Sequence, residues 1–308
     1  MNLKFCNFGK FICLISLGIL LLLSFIISLD YFFYYSYKGT NKNAKSLRDY
    51  VLNYKDKTQN EINAKYIFDN DRDRKFRTAQ NIKSSLKPVL IFGASSVYGL
   101  NLDENETVSY NLAKLTKRPV YNRTKPEASL NHMYYQLSNN DFYKIVPKPE
   151  YILYFYVPKQ YVLMNNKLDF CQHDVYYKLK NSKLIRVVRI PIIKKSYLMA
   201  KLNIIKFQKY GLRYFLNNKN NKLFEKILIE SKNEAQKHYG KDVKFVIINC
   251  SFDDLQKETF KSLSDNGFMI FDLYKFININ DKIHKDASRP NAKYWQKAAI
   301  ITVDKLKL

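Results

Sequence analysis

Cysteine is scarce, with four in 308 residues. Cys6 and Cys13 sit near the start and Cys171 and Cys250 far apart in the body, so the spacing yields neither a disulfide framework nor the close pairs of a metal site. Cys250 ends an apolar run and reads as a small buried hydrophobe. Histidine is as sparse and as scattered (His132, His173, His238, His284), which rules out a zinc signature. No metal and no cofactor is expected. Acidic residues are also short, 27 against 52 Lys+Arg, for a formal net charge of +25. Such an excess makes a positive field that favours anionic lipid, anionic polymer or nucleic acid. A plainer source is codon drift in an AT-rich genome, because Lys, Asn, Ile, Tyr and Phe are enriched together. Nucleic-acid binding has only the charge behind it: Lys178 to Lys222 interleaves basic residues with tyrosines, but no recognised binding module appears.

What is present is a chain able to bury one main core without a staple, with 46% hydrophobic and 15% aromatic residues. From Phe11 to Leu29 no residue carries a charge, and the run is about the length a helix needs to cross a bilayer. Lys4 and Lys10 form a basic n-region over residues 1–10. No small-residue cleavage pattern follows, since Asp30-Tyr-Phe-Phe-Tyr-Tyr35 stands in its place. The expectation is one transmembrane helix, an uncleaved signal anchor at 11–29, with Tyr31 to Tyr37 at the interface. Lys38, Lys42, Lys45 and Arg48 outnumber the preceding lysines and pull against an amino terminus inside. Long domains translocate largely regardless of charge, so the body is expected outside the cytoplasm. Residues 30–86 read as a polar juxtamembrane spacer, and 87–308 as an α/β domain with a basic, aromatic insertion at about 159–218.

Within that domain the pattern alternates strand and helix. The apolar run that starts at Pro88, then Pro119 to Asn122, Tyr151 to Val157, Val243 to Asn249 and Gly267 to Asp272 read as five strands. Between and after them come helices at Glu106–Arg118 (apolar Val108, Leu112, Leu115), Ala128–Leu137, Leu223–Tyr239, Asp253–Ser264 and Trp295–Leu306. This implies a doubly wound, mostly parallel five-stranded sheet with right-handed crossovers. Ligands of such sheets sit at the carboxyl ends of the strands. The first strand ends there in Gly93-Ala-Ser-Ser-Val-Tyr-Gly99, with the glycines read as turn formers. The plain reading is a strand-to-helix turn with a serine cap. The chemical one is an exposed nucleophile, and a nucleophilic serine takes a histidine oriented by a carboxylate. Asn280-Asp-Lys-Ile-His-Lys-Asp-Ala-Ser-Arg-Pro-Asn291, after the fifth strand, supplies both residue types.

A Gly-Xaa-Ser turn after the first strand and an Asp-Xaa-Xaa-His-Pro-Asn-like element before the last helix resemble the SGNH/GDSL hydrolases, over about Lys87 to Leu308. The resemblance implies a flavodoxin-like strand order. It makes Ser95 the nucleophile, its backbone amide an oxyanion donor, and Asp286 the orienting acid. Arg289 falls where the family has its general base. Arginine stays protonated and cannot take a proton from serine, so His284 is the base expected from the same loop, with Asp281 three residues before it. The family's glycine donor after the second strand has no counterpart in Asn122-Arg-Thr-Lys-Pro-Glu-Ala128. After the third strand Gln160 stands in for its asparagine. Two functions follow: a membrane-anchored serine ester hydrolase, an O-acetyl esterase or acyltransferase on envelope carbohydrate; or a degenerate member that binds a glycan or protein partner without turnover. Proline before the closing helix, Pro290, is expected to start that helix and aim Arg289 at the sheet edge.

Overall fold

The computed structural model describes residues 16–29, 67–68, 74–75, 85–99, 102, 104–124, 129–157, 160, 164, 175–187, 218–250, 257–277 and 290–308. Its centre is a five-stranded sheet of β1 (Val89–Phe92), β2 (Val120–Asn122), β3 (Tyr151–Tyr156), β6 (Lys244–Asn249) and β7 (Met269–Asp272). The strand order is β2-β1-β3-β6-β7, and every pairing is parallel. Leu90 pairs with Ile152 and Tyr121, and Ile247 pairs with Tyr154 and Ile270. This is the flavodoxin-like order expected from the sequence. Two more strands, β4 (Tyr176–Lys180) and β5 (Lys183–Val187), form an antiparallel hairpin within the expected insertion.

The sheet is parallel because both of its faces are covered, and the strand composition dictates that. All residues of β1 and β3 are buried. On one face Leu90, Phe92, Ile152, Tyr154 and Ile247 pack against α3 (Leu130–Leu137), α4 (Asn140–Ile145) and α5 (Asn218–Tyr239). On the other, Val89, Ile91, Leu153, Phe155 and Val246 meet α2 (Val108–Thr116) and α7 (Ala292–Leu306), where Trp295 stands edge-on to Phe155. Each fully buried aliphatic side chain of this kind contributes about 1.5–3 kcal/mol relative to exposure. The same domain also has the short α1 (Ser95–Tyr98) and α6 (Lys257–Asp265).

Several local readings change. Leu115 is 46% exposed, and α2 seats Ala113 and Thr116 beside Val108 and Leu112 instead. The closing helix starts three residues before Trp295, capped by Asn291, whose side chain accepts from the Tyr294 amide. Pro290 therefore lies one residue outside the cap and not inside the first turn. Residues 16–29 are helical and expose Leu20, Phe25 and Ile27. No helix among the described residues is long and apolar enough to cross a membrane; residues 11–15 of the expected span lie outside the described residues.

Gly93 does not serve the turn through its dihedral angles. A Cβ there would sit 2.6 Å from Cγ2 of Val97, so glycine is needed for α1 to fold back onto the strand end. Gly99, with φ 79°, does take the left-handed conformation and closes α1 with its amide on the Ser96 carbonyl. Gly93→Ala is expected to destabilise the domain by about 1–3 kcal/mol through overpacking, measured by urea unfolding.

The amino edge of the sheet carries paired charges. Asp242 accepts from Lys148 at 2.7 Å and Lys87 at 3.3 Å, and these contacts lower its pKa to about 2. Burial pushes the Glu150 carboxyl up, but Arg118 at 2.6 Å and Lys244 outweigh it and leave the pKa below its ordinary value. A depressed carboxylate contributes stability that is present above its unfolded pKa and is lost as pH falls through the folded one. Asp242→Asn should therefore narrow the gap in urea midpoint to wild type as pH drops from about 4 to about 2; a gap that stays constant across that window contradicts the pairing.

Candidate functional site at the carboxyl edge

Ser95 follows Ala94, and Ala94 is the cap residue of α1, extended at φ −89° and ψ 177° and making no side-chain cap bond. The serine is thus not used up as a helix cap, and among the described residues no group hydrogen-bonds its hydroxyl. It is half-buried, at the end of a strand that is fully buried.

The α1 turn is held by the neighbouring strand. Asn122, the last residue of β2, is fully buried; its amide donates to the Val97 carbonyl at 3.0 Å and to Ser109 Oγ at 3.2 Å, and its Oδ1 accepts from the Thr124 amide at 3.1 Å. Every hydrogen-bonding atom of this side chain that reaches α1, α2 or the β2 exit is accounted for, which fixes where Ser95 stands. Asn122 is a positioning residue that sequence reasoning took only as a strand residue. Its signal was a polar residue at the carboxyl end of an otherwise apolar strand.

Next to it a buried polar cluster lies under the strand ends. Arg123 is 6% exposed, donates from Nε to Gln136 Oε1 at 3.0 Å and stacks over Phe142. Gln136 Nε2 donates back to the Arg123 carbonyl and meets His132 Nε2 at 2.5 Å. An amide NH₂ only donates, so in this contact His132 Nε2 is the acceptor. Gly93, Arg123, Thr124, His132, Tyr154 and Gln160 line a small cavity of about 10 Å³ at the ends of β1, β2 and β3. Gln160 is buried and its Oε1 accepts from the Val157 amide, which orients its NH₂ as the remaining donor. Two hydroxyls at this cavity, Thr124 Oγ1 and Tyr154 Oη, have no partner among the described residues. Burial raises the Tyr154 phenol well above its ordinary pKa, so it stays a neutral donor. The arrangement is rich in donors, suited to an oxygen that carries or gains negative charge.

The structure thus brings Gly93, Ser95 and Gln160 to one edge of the sheet. His284, Asp286, Asp281 and Arg289 lie outside the described residues, in the segment between Ile277 and Pro290. No group of His, Cys, Asp and Glu suited to hold a metal ion occurs among the described residues.

No family model matches the chain, and no curated protein matches it. Among solved structures it is similar to an acetyl xylan esterase, Est2A, from the rumen bacterium Butyrivibrio proteoclasticus (11% identity, 72% of this chain and 63% of that one, TM-score 0.44). It is also similar to a member of the lipolytic protein G-D-S-L family from Veillonella parvula (10% identity, 71% and 98%, TM-score 0.42). A third is the lipase Lip_vut3 from a goat rumen metagenome (8% identity, 72% and 96%, TM-score 0.43).

An unpartnered buried hydroxyl costs stability that an apolar isostere does not. Thr124→Val and Tyr154→Phe should each raise the melting temperature, by roughly 2–4 °C, in calorimetry of the ligand-free protein. A fall in either variant would show that the hydroxyl is structurally satisfied.

Proposed function

We propose that the protein is a membrane-anchored serine ester hydrolase whose nucleophile is Ser95. The observation that carries this reading is the position of Ser95. It follows a fully buried inner strand of a parallel sheet, its hydroxyl is spent on no cap, its turn is held by Asn122, and a donor-lined cavity lies at the end of the same strand. In the reaction the Ser95 hydroxyl adds to the ester carbonyl as its proton passes to His284. Asp286, or Asp281 at its Asp-Xaa-Xaa-His spacing, orients that imidazole. The Ser95 amide and the Gln160 NH₂ donate to the carbonyl oxygen as it gains charge, and the alcohol leaves with the proton from His284. Water then adds to the acyl-serine as its proton passes to His284, and the carboxylic acid leaves as that proton returns to the Ser95 oxygen; a carbohydrate hydroxyl in place of water takes the acyl group and makes the same chemistry an acyl transfer. Each oxyanion donor is worth about 10²–10³ in rate, so replacement of the family's glycine by the Arg123 segment predicts a slow enzyme. Arg289 attracts an anionic group and does not activate the hydroxyl. Envelope carbohydrate esters suit an anchored body outside the cytoplasm with a cationic surface. The anchor at 11–29 is part of the same proposal: a chain lacking residues 1–29 should leave the membrane fraction.

One observation favours a second reading, binding of a glycan or protein partner without turnover. Arg123, at the end of β2 where the family has its glycine donor region, is tied to Gln136 by hydrogen bonds in both directions. The two readings part on hydrolysis of a chromogenic acetyl ester. Wild type should turn over slowly, Ser95→Ala should lose turnover, His284→Ala should lose about 10²-fold or more, and Arg289→His should gain. Turnover that survives loss of Ser95 removes the enzymatic reading at this site; no turnover in any variant supports the binding one.

A further inference from the structure

The hairpin of β4 and β5 has two unlike faces. Side chains alternate along each strand and residues directly opposite share a face; the register sets Tyr177 opposite Arg186, Leu179 opposite Leu184, Lys178 opposite Ile185 and Lys180 opposite Lys183. The first two pairs face inward. Leu179 and Leu184 pack on the core, Tyr177 stands edge-on to Tyr134 at 4.8 Å, and Arg186 lies over the Tyr135 ring of α3 at 5.1 Å. The other two pairs face out: Lys178, Lys180 and Lys183 are exposed, and Ile185 beside them is 44% exposed. Asn181 and Ser182 join the strands, both left-handed at φ 48° and 60°, in the two-residue turn whose twist matches a hairpin. The inward packing and this turn hold the outer face in shape before any partner arrives.

No acidic residue occurs between Val175 and Val187, and among the described residues none of the three lysines has an ion pair or hydrogen bond. On α4 and α5, by contrast, Lys144 and Lys237 each have an acid one turn away, Asp141 and Glu234. Lys180 and Lys183 stand directly opposite one another, a like-charge pair that works against the hairpin. An anionic surface reverses that sign. We infer that the outer face of the hairpin docks on a bilayer surface rich in anionic lipid, with the three ammonium groups among the headgroups and Ile185 at the acyl boundary. The chemistry favours lipid over an anionic polymer. A cationic face that carries an aliphatic side chain has the composition of interfacial segments. Single-stranded nucleic acid needs aromatic rings to stack on, and both tyrosines of the hairpin, Tyr176 and Tyr177, are buried. The inference does not draw on ester hydrolysis at Ser95.

The test places the full-length Ile185→Trp protein with vesicles of phosphatidylcholine alone or with about a third phosphatidylglycerol. Trp295, the one native tryptophan, is buried and supplies a constant background. The introduced indole should shift to shorter emission wavelength only with phosphatidylglycerol, and about 1 M salt should reverse the shift. Attachment through residues 11–29 contributes equally to both kinds of vesicle. In the wild type, the anionic vesicles should protect Lys178, Lys180 and Lys183 from amine acetylation while Lys114 and Lys117, at the end of α2 on the other face of the sheet, stay reactive. Each lysine at such a surface is worth about fivefold, so changing all three to Gln in the Ile185→Trp protein should lower the ratio of docked to free hairpin about 10²-fold. Changing all three to Arg, which keeps the charge, should leave docking in place. The inference is overturned by an indole shift that is absent or equal in both vesicles, by equal protection of Lys114 and Lys117, or by Arg variants that dock no better than the Gln ones. An oligothymidylate that shifts the indole where phosphatidylglycerol does not assigns the face to nucleic acid and overturns it as well.

Discussion

The burial of β1 and β3 on both faces is the constraint from which the rest follows. A strand made of Val89, Leu90, Ile91 and Phe92, none more than 2% exposed, leaves no face for water, so helices must cover both sides and parallel crossovers must connect them. Backbone polar groups are then satisfied within the sheet, and polar side chains are driven to its two ends. That is where they are found. At the amino edge Glu150 and Asp242 pair with lysines and Arg118; at the carboxyl edge stand Ser95, Asn122, Arg123, Gln160, Asn249 and Asp272.

The same constraint explains what could be read from residues alone. Unbroken apolar runs such as Tyr151 to Tyr156 admit few alternatives, and all five strands lie where the hydrophobic pattern puts them. Helix ends were less legible, because caps are made by single polar residues. Thr107, Ser129, Asn139 and Asn291 each accept a hydrogen bond from a first-turn amide, and α4, only six residues long, has too little periodicity to announce itself. Leu115 shows a second limit: three apolar residues on α2 satisfy the period, but only the packing of α7 decides which of them is inside.

For the site, legibility stops at position. The end of β1 and the placement of Gly93, Ser95 and Gln160 follow from strand order, which the family resemblance implied and the apolar pattern alone does not carry. The hydrogen bonds follow from neither. Nothing local to Asn122 says that its amide reaches back to Val97, twenty-five residues away, or that Gln136 holds Arg123 and His132 at once. Gly93 is a comparable case. The sequence suggests a turn glycine, but the requirement is room for Val97, a contact that exists only after α1 has folded onto the strand.

The two edges of the sheet also differ in how they use polar groups. At the amino edge the carboxylates are matched with cations and their pKa values fall, the mark of interactions that favour the folded state at neutral pH. At the carboxyl edge a buried guanidinium and two hydroxyls that have no partner among the described residues, one of them the neutral Tyr154 phenol, crowd a small cavity, and each of those groups lost hydration on folding. Buried hydroxyls of this kind are a net cost to the fold unless something else meets them. A chain selected for stability alone would place valine and phenylalanine at 124 and 154. Retaining the hydroxyls beside the end of the strand that carries Ser95 is the arrangement expected where stability is given up to keep donors ready for a ligand oxygen.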